Sequence, residues 1–337
     1  MADATSTQTT PSETTAEISC CNEVPFNDQD ADLIVRSVPD KIDFRVHKAF
    51  LSVTSLVFRD MLSLPQCELE GSSGFAAAMM KDGLHIVPLV EDQKTIAILL
   101  KMCYPRWMIR DCEPLFSTVD EVLTVLTAAK KYAMDGVERE VCAVLVSPRF
   151  LEPDPLRVFA LAVQHGFYGE AKICGGFTLR TPILQREYKP ELEYITAGTY
   201  HRLQNYHIQC GDAAHAIAQV QDLRWITSET WTWFECSSCR GSTLVIISGD
   251  RRKWAAKWWA EFMLEASKAL KERPSGATVG IDSDVVQLAL EKASACQNTC
   301  RARVFREMRQ FCAIFAAEVG KATGAVCILA GRDSGLR

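Results

Sequence analysis

Three short spacings in the sequence bring together side chains that bind metals or react as thiols. Two cysteines follow a run of aromatic residues in WTWFECSSC, residues 231–239. A histidine and a cysteine three residues apart precede them, and two cysteines four residues apart follow. The pairs are His207 with Cys210, Cys236 with Cys239, and Cys296 with Cys300. Ligands at short range lower the entropy cost of assembling a metal site.

A tetrahedral zinc ion needs four cysteine or histidine ligands, so two of the three pairs must meet. The first two pairs supply three cysteines and one histidine, whereas the last two supply four cysteines. Spacing alone does not rank these sets. Either set fills the coordination sphere, so the zinc predicted here is structural, with no open position for catalysis.

Two other interpretations of Cys236 and Cys239 stay open. The fourteen cysteines are spread along a chain that begins without an export signal, which favours reduced thiols. Reduced thiols often pack in cores as small apolar groups, here among Trp231 and Trp233. A redox dithiol is the third interpretation, although no thioredoxin-like βαβ pattern surrounds the pair.

Composition narrows the classes of partner. The chain has 337 residues, of which 48% are apolar, enough for about two domains. Its 37 basic and 42 acidic residues give a net charge of -5 without a basic stripe, which argues against nucleic acid. No apolar run reaches the roughly 20 residues of a membrane span. We expect an intracellular protein, cytoplasmic or nuclear, that binds neither nucleic acid nor membrane.

Composition and pattern divide the chain into four parts. Residues 1–27 are rich in Thr, Ser, Ala and Glu, which predicts a disordered arm. Residues 28–147 have an α+β pattern, and residues 148–323 a mostly helical one that contains the candidate zinc ligands. Residues 324–337, with three glycines, are predicted to be a flexible tail.

The α+β pattern of the first domain begins with two β-forming segments. Residues 31–37 and 42–48 flank a Pro-Asp turn, which predicts a β-hairpin. Two short helices broken near Ser55 follow, and then a strand at 84–90. Amphipathic helices in TIAILLKMC, DEVLTVLTAAKKYAM and GVEREVCAVLV complete a three-stranded sheet with helical hairpins.

These elements resemble a BTB/POZ domain over roughly residues 28–147. The resemblance rests on Asp32, His47-Lys48, Leu51, Ser55, Phe58, Met61, Tyr104-Pro105 and the AAKKYAM helix. It implies the BTB/POZ fold, homodimerisation or partner recruitment, and no catalysis. It also implies that Asp32 and Lys48 line a charged pocket near a dimer interface and contact a partner. The alternative is an ion pair that fixes the hairpin on the helices.

Three functions stay open. The first is a non-catalytic protein-interaction scaffold, and the second is a substrate adaptor for a cullin-type ubiquitin ligase. Such adaptors often carry a hydrophobic-x-Glu motif after the second helix; SLPQCELEGSSG, residues 63–74, lacks it, which favours the scaffold. The third is a thiol redox protein that uses Cys236 and Cys239.

The second half resembles the helical extension that follows BTB domains in fungal proteins. Asp154 and Pro155 provide the start of a helix, and apolar residues from 190 onward recur at helical spacing. A strand in TLVIIS precedes a helix predicted over residues 251–272, RRKWAAKWWAEFMLEASKALKE. A final long helix is predicted over residues 282–319, in which the last cysteine pair shares one face.

Overall fold

The computed structural model describes residues 18–22, 24–64, 80–109, 114–228 and 230–328. The chain divides into two compact units, Met1–Ser147 and Pro148–Arg337. Within the described ranges, no helix is long and apolar enough to cross a membrane.

The described part of the first unit contains a five-stranded sheet and five helices. The strands are β1 (Ser19–Cys20), β2 (Leu33–Ser37), β3 (Ile42–Val46), β4 (Met80–Lys81) and β5 (Leu84–Leu89). The helices are α1 (Lys48–Thr54), α2 (Leu56–Ser63), α3 (Gln93–Cys103), α4 (Val119–Lys131) and α5 (Asp135–Leu145). The sheet order is β1-β3-β2-β5-β4, with β2 antiparallel to β3 and parallel to β5. The predicted hairpin, helix pair and α+β class are confirmed.

The sheet has two strands more than the sequence predicts. One of them, β1, lies inside the stretch predicted to be a disordered arm and pairs in parallel with β3. Cys21 and Phe26, which follow it, are buried. Backbone hydrogen bonds to a sheet edge do not depend on side-chain polarity, so composition gave no sign of this strand. Residues 1–17 and 23 of the predicted arm lie outside the described residues.

A buried carboxylate ties the strands of the first unit together. Asp43 on β3 is 1% exposed and accepts hydrogen bonds from Arg36 Nε at 2.5 Å and from Lys81 Nζ at 2.7 Å. Burial alone would raise the pKa of Asp43. The hydrogen bonds from the two cations outweigh it, so the pKa lies below its usual value.

We expect Asp43→Asn to lower the free energy of unfolding of the first unit by about 3 kcal/mol at neutral pH. Because the folded pKa is depressed, this contribution is present above the unfolded carboxyl pKa of about 4 and is lost as pH falls through the folded value. Urea unfolding of variant and parent at about pH 7 and about pH 3 measures the difference, which should shrink in acid. Asp60→Asn, at an exposed position, is the control. An undiminished difference at low pH would contradict the charge-based account.

The described part of the second unit contains eight helices and one hairpin. The helices are α6 (Pro148–Leu151), α7 (Pro155–Gln164), α8 (Tyr168–Thr178), α9 (Ala197–Ile217), α10 (Thr232–Glu235), α11 (Lys257–Glu272), α12 (Asp284–Ser294) and α13 (Thr299–Gly324). The hairpin strands are β6 (Arg240–Ile247) and β7 (Arg251–Ala256). A Cβ atom on Gly211 of α9 would lie 2.6 Å from the carbonyl oxygen of Lys271, so α9 and α11 approach closely only because this residue is glycine. The mostly helical class is confirmed.

Residues 251–256 are a strand, and the prediction that the helix begins at residue 251 is wrong. Gly249 and Asp250 have φ angles of 72° and 55°, in the left-handed region. These angles turn the chain sharply, so that β7 runs back along β6 with Trp254 opposite Leu244. The helix α11 begins only at Lys257.

The single long helix predicted over residues 282–319 is also wrong. It is divided into α12 and α13 by residues 295–298, and Cys296 lies in this break. Phe305, in the first two turns of α13, is exposed. Of the predicted tail, residues 329–337 lie outside the described residues, whereas Ile328 is buried.

Candidate metal centre

Four cysteine sulfurs converge in the second unit. The Sγ atoms of Cys236, Cys239, Cys296 and Cys300 all lie within 4.8 Å of one another. Cys236, Cys296 and Cys300 are buried, and Cys239 is half-buried. The structure therefore brings together the last two of the three ligand pairs, and this group can hold a metal ion.

The spacing of the sulfurs fits a tetrahedral ion. With metal–sulfur bonds of about 2.3 Å, as for zinc, the sulfurs of a tetrahedral site lie about 3.8 Å apart. Cys236 Sγ and Cys296 Sγ are 3.8 Å apart, too far for a disulfide and at the edge length of that tetrahedron. Cys236, Cys239, Cys296 and Cys300 would be the ligands, and four ligands close the site.

Cys236 is positioned by a buried acid on α13. Glu307 is 5% exposed; its Oε2 accepts from the backbone N–H of Thr232 at 2.7 Å, and its Oε1 accepts from Arg303 Nε at 2.7 Å. Thr232 is the first residue of α10, and Cys236 follows the last residue of this helix. Glu307 therefore ties α10, which leads into Cys236, to α13, which begins beside Cys300.

Cys239 is positioned by the base of the hairpin. Its carbonyl oxygen accepts a hydrogen bond from the backbone N–H of Lys257 at 3.0 Å, where β7 passes into α11. A Cβ atom on Gly241 would lie 2.9 Å from the carbonyl oxygen of Ala255. Only glycine allows the two strands to approach so closely here, which holds Cys239 against the start of α11.

The break between α12 and α13 positions the other two cysteines. The backbone N–H of Asn298 points at Cys296 Sγ, with a nitrogen–sulfur distance of 3.4 Å. The side chain of Asn298 donates to Ser238 Oγ at 2.9 Å, which joins the break to the Cys236–Cys239 turn. Cys300 lies in the first turn of α13. A continuous helix would have lacked the turn that directs a backbone N–H at the sulfur of Cys296.

The thiols differ in acidity because their surroundings differ. Hydrogen bonding from Cys239, together with the N–H of Asn298, lowers the pKa of Cys296. Burial is the main cause that raises the pKa of Cys239 and of Cys300. The indole N–H of Trp258 opposes this effect at Cys300 by favouring its thiolate. Among the described residues, this buried N–H has no other hydrogen-bond partner.

A tryptophan stack lies in the same hydrophobic core as Cys236, Cys296 and Cys300. Trp233 lies between Trp231 and Trp259, with ring centroids 4.9 Å and 5.7 Å away and nearly parallel planes. Phe311 of α13 meets Trp233 edge-on at 5.2 Å. Trp233 is three residues from Cys236, so the stack fixes the chain that enters the Cys236–Cys239 turn.

His207 and Cys210 lie elsewhere, and the set of three cysteines and one histidine does not form. His207 Nε2 is 2.8 Å from the carbonyl oxygen of Glu272, and its Nδ1 is 2.9 Å from Arg186. Burial lowers the pKa of His207, so the neutral imidazole is favoured. Cys210 is buried and its sulfur points at the carbonyl oxygen of Thr323. Both residues join α9 to neighbouring segments.

Asp32 and Lys48 meet through the backbone. Asp32 Oδ1 accepts a hydrogen bond from the backbone N–H of Lys48 at 2.7 Å. Lys48 begins α1, and the side chain of His47 gives this helix no cap, so Asp32 satisfies one of its free N–H groups. Asp32 is exposed and Lys48 is half-buried. Their contact with a partner stays a prediction.

Three residues of the site were missed by the sequence interpretation: Asn298, Glu307 and Trp258. Asn298 did carry a signal, because asparagine between two cysteines is a poor interior helix residue and a good N-terminal one. Glu307 and Trp258 carried none, since a charged residue on a helix is normally exposed and an aromatic one is normally core.

The sequence of the first unit matches a known domain family. Residues 25–148 match the model of the BTB/POZ domain, and the chain therefore contains a BTB/POZ domain in this unit. BTB/POZ domains mediate protein–protein interaction and homodimerisation, and they are not catalytic. No curated protein matches the chain. The role of the cysteine cluster must therefore be argued from its geometry.

We expect Glu307→Ala to weaken the metal centre without removing a ligand. The substitution frees α10, leaves the N–H of Thr232 unpaired and removes the shortest contact of Arg303, which keeps only its 3.3 Å contacts to Glu235 and Thr230. We expect it to lower the free energy of unfolding of the second unit by about 3 kcal/mol. Metal affinity, measured by competition with a chromophoric chelator, should fall about tenfold. Glu318→Ala, at a less buried position of α13, is the matched control. Equal metal affinity in the two variants would contradict the anchoring role.

Proposed function

We propose that the protein is a non-catalytic interaction scaffold, in which the BTB/POZ domain pairs with a second copy and the second unit is held together by structural zinc. The observation that carries the proposal is an apolar face on α1 and α2 of a domain whose family acts through protein contacts. We further propose a reducing compartment, cytoplasm or nucleus, because the four clustered cysteines must stay reduced to bind metal.

The α1–α2 face consists of Val53, Leu56 and Val57. Val53 is 88% exposed and Leu56 is 47% exposed, whereas Leu51 and Phe58 on the opposite side are buried. Aliphatic side chains on adjacent turns gain free energy when a partner covers them, at about 25 cal/mol per Å² of apolar area. A second copy of the same helix pair provides a self-complementary surface.

Asp32 and Lys48 are the polar contacts that we propose for this interface. Lys48 begins α1, the helix that carries Val53. The backbone N–H of Lys48 is bonded to Asp32. Its ammonium group has no carboxylate within 4.0 Å among the described residues, so a carboxylate of the partner can pair with it. An exposed pair of this kind contributes little to affinity and more to orientation.

Zinc is the metal that we propose for the cluster. Four thiolates are the set of ligands that zinc takes in structural sites, and soft thiolate ligands disfavour magnesium and calcium. A closed site of four cysteines has no position for water, which supports a structural role over catalysis. The redox alternative needs an accessible thiolate, and burial raises the pKa of Cys239 instead. A cullin-adaptor role has no support from the described residues, since most of the motif segment, from residue 65, lies outside them.

The dimer is tested by placing charge on the α1–α2 face. The chain has a mass of 37.5 kDa, and light scattering of the full chain should give twice this value. We expect Val53→Asp with Leu56→Asp to give a monomer with an unchanged far-UV spectrum, because burying two carboxylates at the interface is unfavourable. Val90→Asp, at a position 72% exposed in the same domain, should remain dimeric. A parent protein that is monomeric at micromolar concentration, or a charged double variant that stays dimeric, contradicts the proposed interface.

The proposal that the cluster binds zinc is tested by substituting two cysteines of the same helix. Cys300 and Cys312 are both fully buried on α13, and only Cys300 belongs to the cluster. Elemental analysis should find about one zinc ion per chain in the parent and in Cys312→Ala, and less than about a tenth of that in Cys300→Ala. Cys210→Ala should also keep its zinc. Loss of zinc in Cys210→Ala but not in Cys300→Ala would favour the alternative ligand set and overturn this one.

A further inference from the structure

The β6–β7 hairpin has one covered edge and one open edge. On the outer side of β6, the backbone N–H of Leu223 donates to the carbonyl oxygen of Ile246 at 2.8 Å, and the N–H of Ser248 donates to that of Ile226 at 3.0 Å. Within the described chain, the sheet has only these two strands, so the outer side of β7 has no neighbouring strand.

The open edge presents unpaired backbone groups. In an antiparallel pair, residues alternate between those that point both backbone groups at the partner strand and those that point both away. The backbone groups of Ile246 point away from β7. Its register partner Arg252 therefore directs its own N–H and C=O groups to the open edge, and so does Trp254, two residues further along β7. Outside the β6–β7 ladder, the described chain contains no backbone hydrogen bond to either residue.

The side chains on the outer face are basic and apolar. Trp254 is 42% exposed and lies opposite Leu244, which is 40% exposed. The guanidinium of Arg240 lies 5.8 Å from the Trp254 ring centroid. Neither Arg240 nor Arg252 has a carboxylate within 4.0 Å among the described residues. Arg240 on β6 and Arg252 on β7 therefore flank the apolar pair of Leu244 and Trp254 on this face of the hairpin.

The strand is held rigidly at its base. The cysteine cluster fixes the start of β6, because Cys239 directly precedes Arg240 and its carbonyl oxygen accepts a hydrogen bond from the backbone N–H of Lys257, the first residue of α11. Ala255 and Ala256, at the end of β7, are fully buried. A strand that is already extended and fixed binds another strand without the cost of ordering itself.

From this geometry, we propose that the open edge of β7 binds an extended acidic segment of a partner protein as a third strand. Backbone pairing would provide affinity, Arg240 and Arg252 would select acidic residues, and Trp254 with Leu244 would cover an apolar one. A peptide fits better than nucleic acid, since the free N–H and C=O groups repeat at peptide spacing and Leu244 offers nothing to a phosphate backbone. This inference goes beyond the proposed scaffold function and rests on its metal centre only for the rigidity of the hairpin.

The probe is a fluorescein-labelled peptide of four Glu-Val repeats, titrated with the full chain and followed by anisotropy. We expect saturable binding that falls at least about tenfold in the double variant Arg240→Glu with Arg252→Glu. The matched control, Arg306→Glu with Arg309→Glu, places the same charge change on the exposed side of α13 and should keep full affinity. No binding to the parent, or equal loss in both double variants, overturns the proposal.

Backbone pairing is tested with two N-methylated forms of the same peptide, one methylated on every Glu and the other on every Val. A peptide strand pairs through alternate residues, so one form should lose at least about tenfold in affinity and the other should bind as the parent peptide does. Equal affinity of both forms would overturn strand addition, and so would a preference for single-stranded oligothymidine that requires Arg240 and Arg252.

Zinc content is measured on every variant, which separates the two proposals. A zinc-loaded double variant of the hairpin that still binds the peptide contradicts strand addition and leaves the metal centre intact. Peptide binding by a parent protein that contains no zinc contradicts the metal centre and leaves strand addition intact.

Discussion

The second unit depends on the convergence of four sulfurs from two segments about 60 residues apart in sequence. Closing a loop of that length costs about 4 kcal/mol of chain entropy. Packing of the four thiols would recover little of this, whereas a structural zinc site contributes roughly 10–16 kcal/mol in small metal-binding domains. The positions of the four sulfurs are therefore the constraint that the surrounding helices and hairpin must satisfy.

Each neighbouring element fixes one part of that geometry. Glu307 holds α10, Gly241 lets the hairpin close at its base, and Asn298 turns the chain between α12 and α13. The stack around Trp233 lies in the same hydrophobic core as the cluster, and Trp233 is three residues from Cys236. The hairpin that follows Cys239 carries Arg240 on β6 and Arg252 on β7, and the position of its base is set by the cluster.

The sequence predicted the first domain well and the second only in part. The hairpin, the helix pair broken at Ser55 and the later helices have strong local patterns, and the BTB/POZ resemblance rested on residues within them. The strand β7 was mistaken for a helix because RRKWAA has no alternation, and only the backbone angles of Gly249 and Asp250 reverse the chain. Spacing predicted six candidate ligands, of which the structure brings four cysteines together. It could not choose between the pairs, since that choice depends on contacts between distant segments.

The most direct test of the metal centre is X-ray absorption at the zinc edge of the purified full chain. The account predicts a first shell of four sulfurs at about 2.3 Å with no nitrogen or oxygen ligand. A shell that contains a histidine nitrogen, or a protein that carries no zinc when purified under reducing conditions, would contradict it.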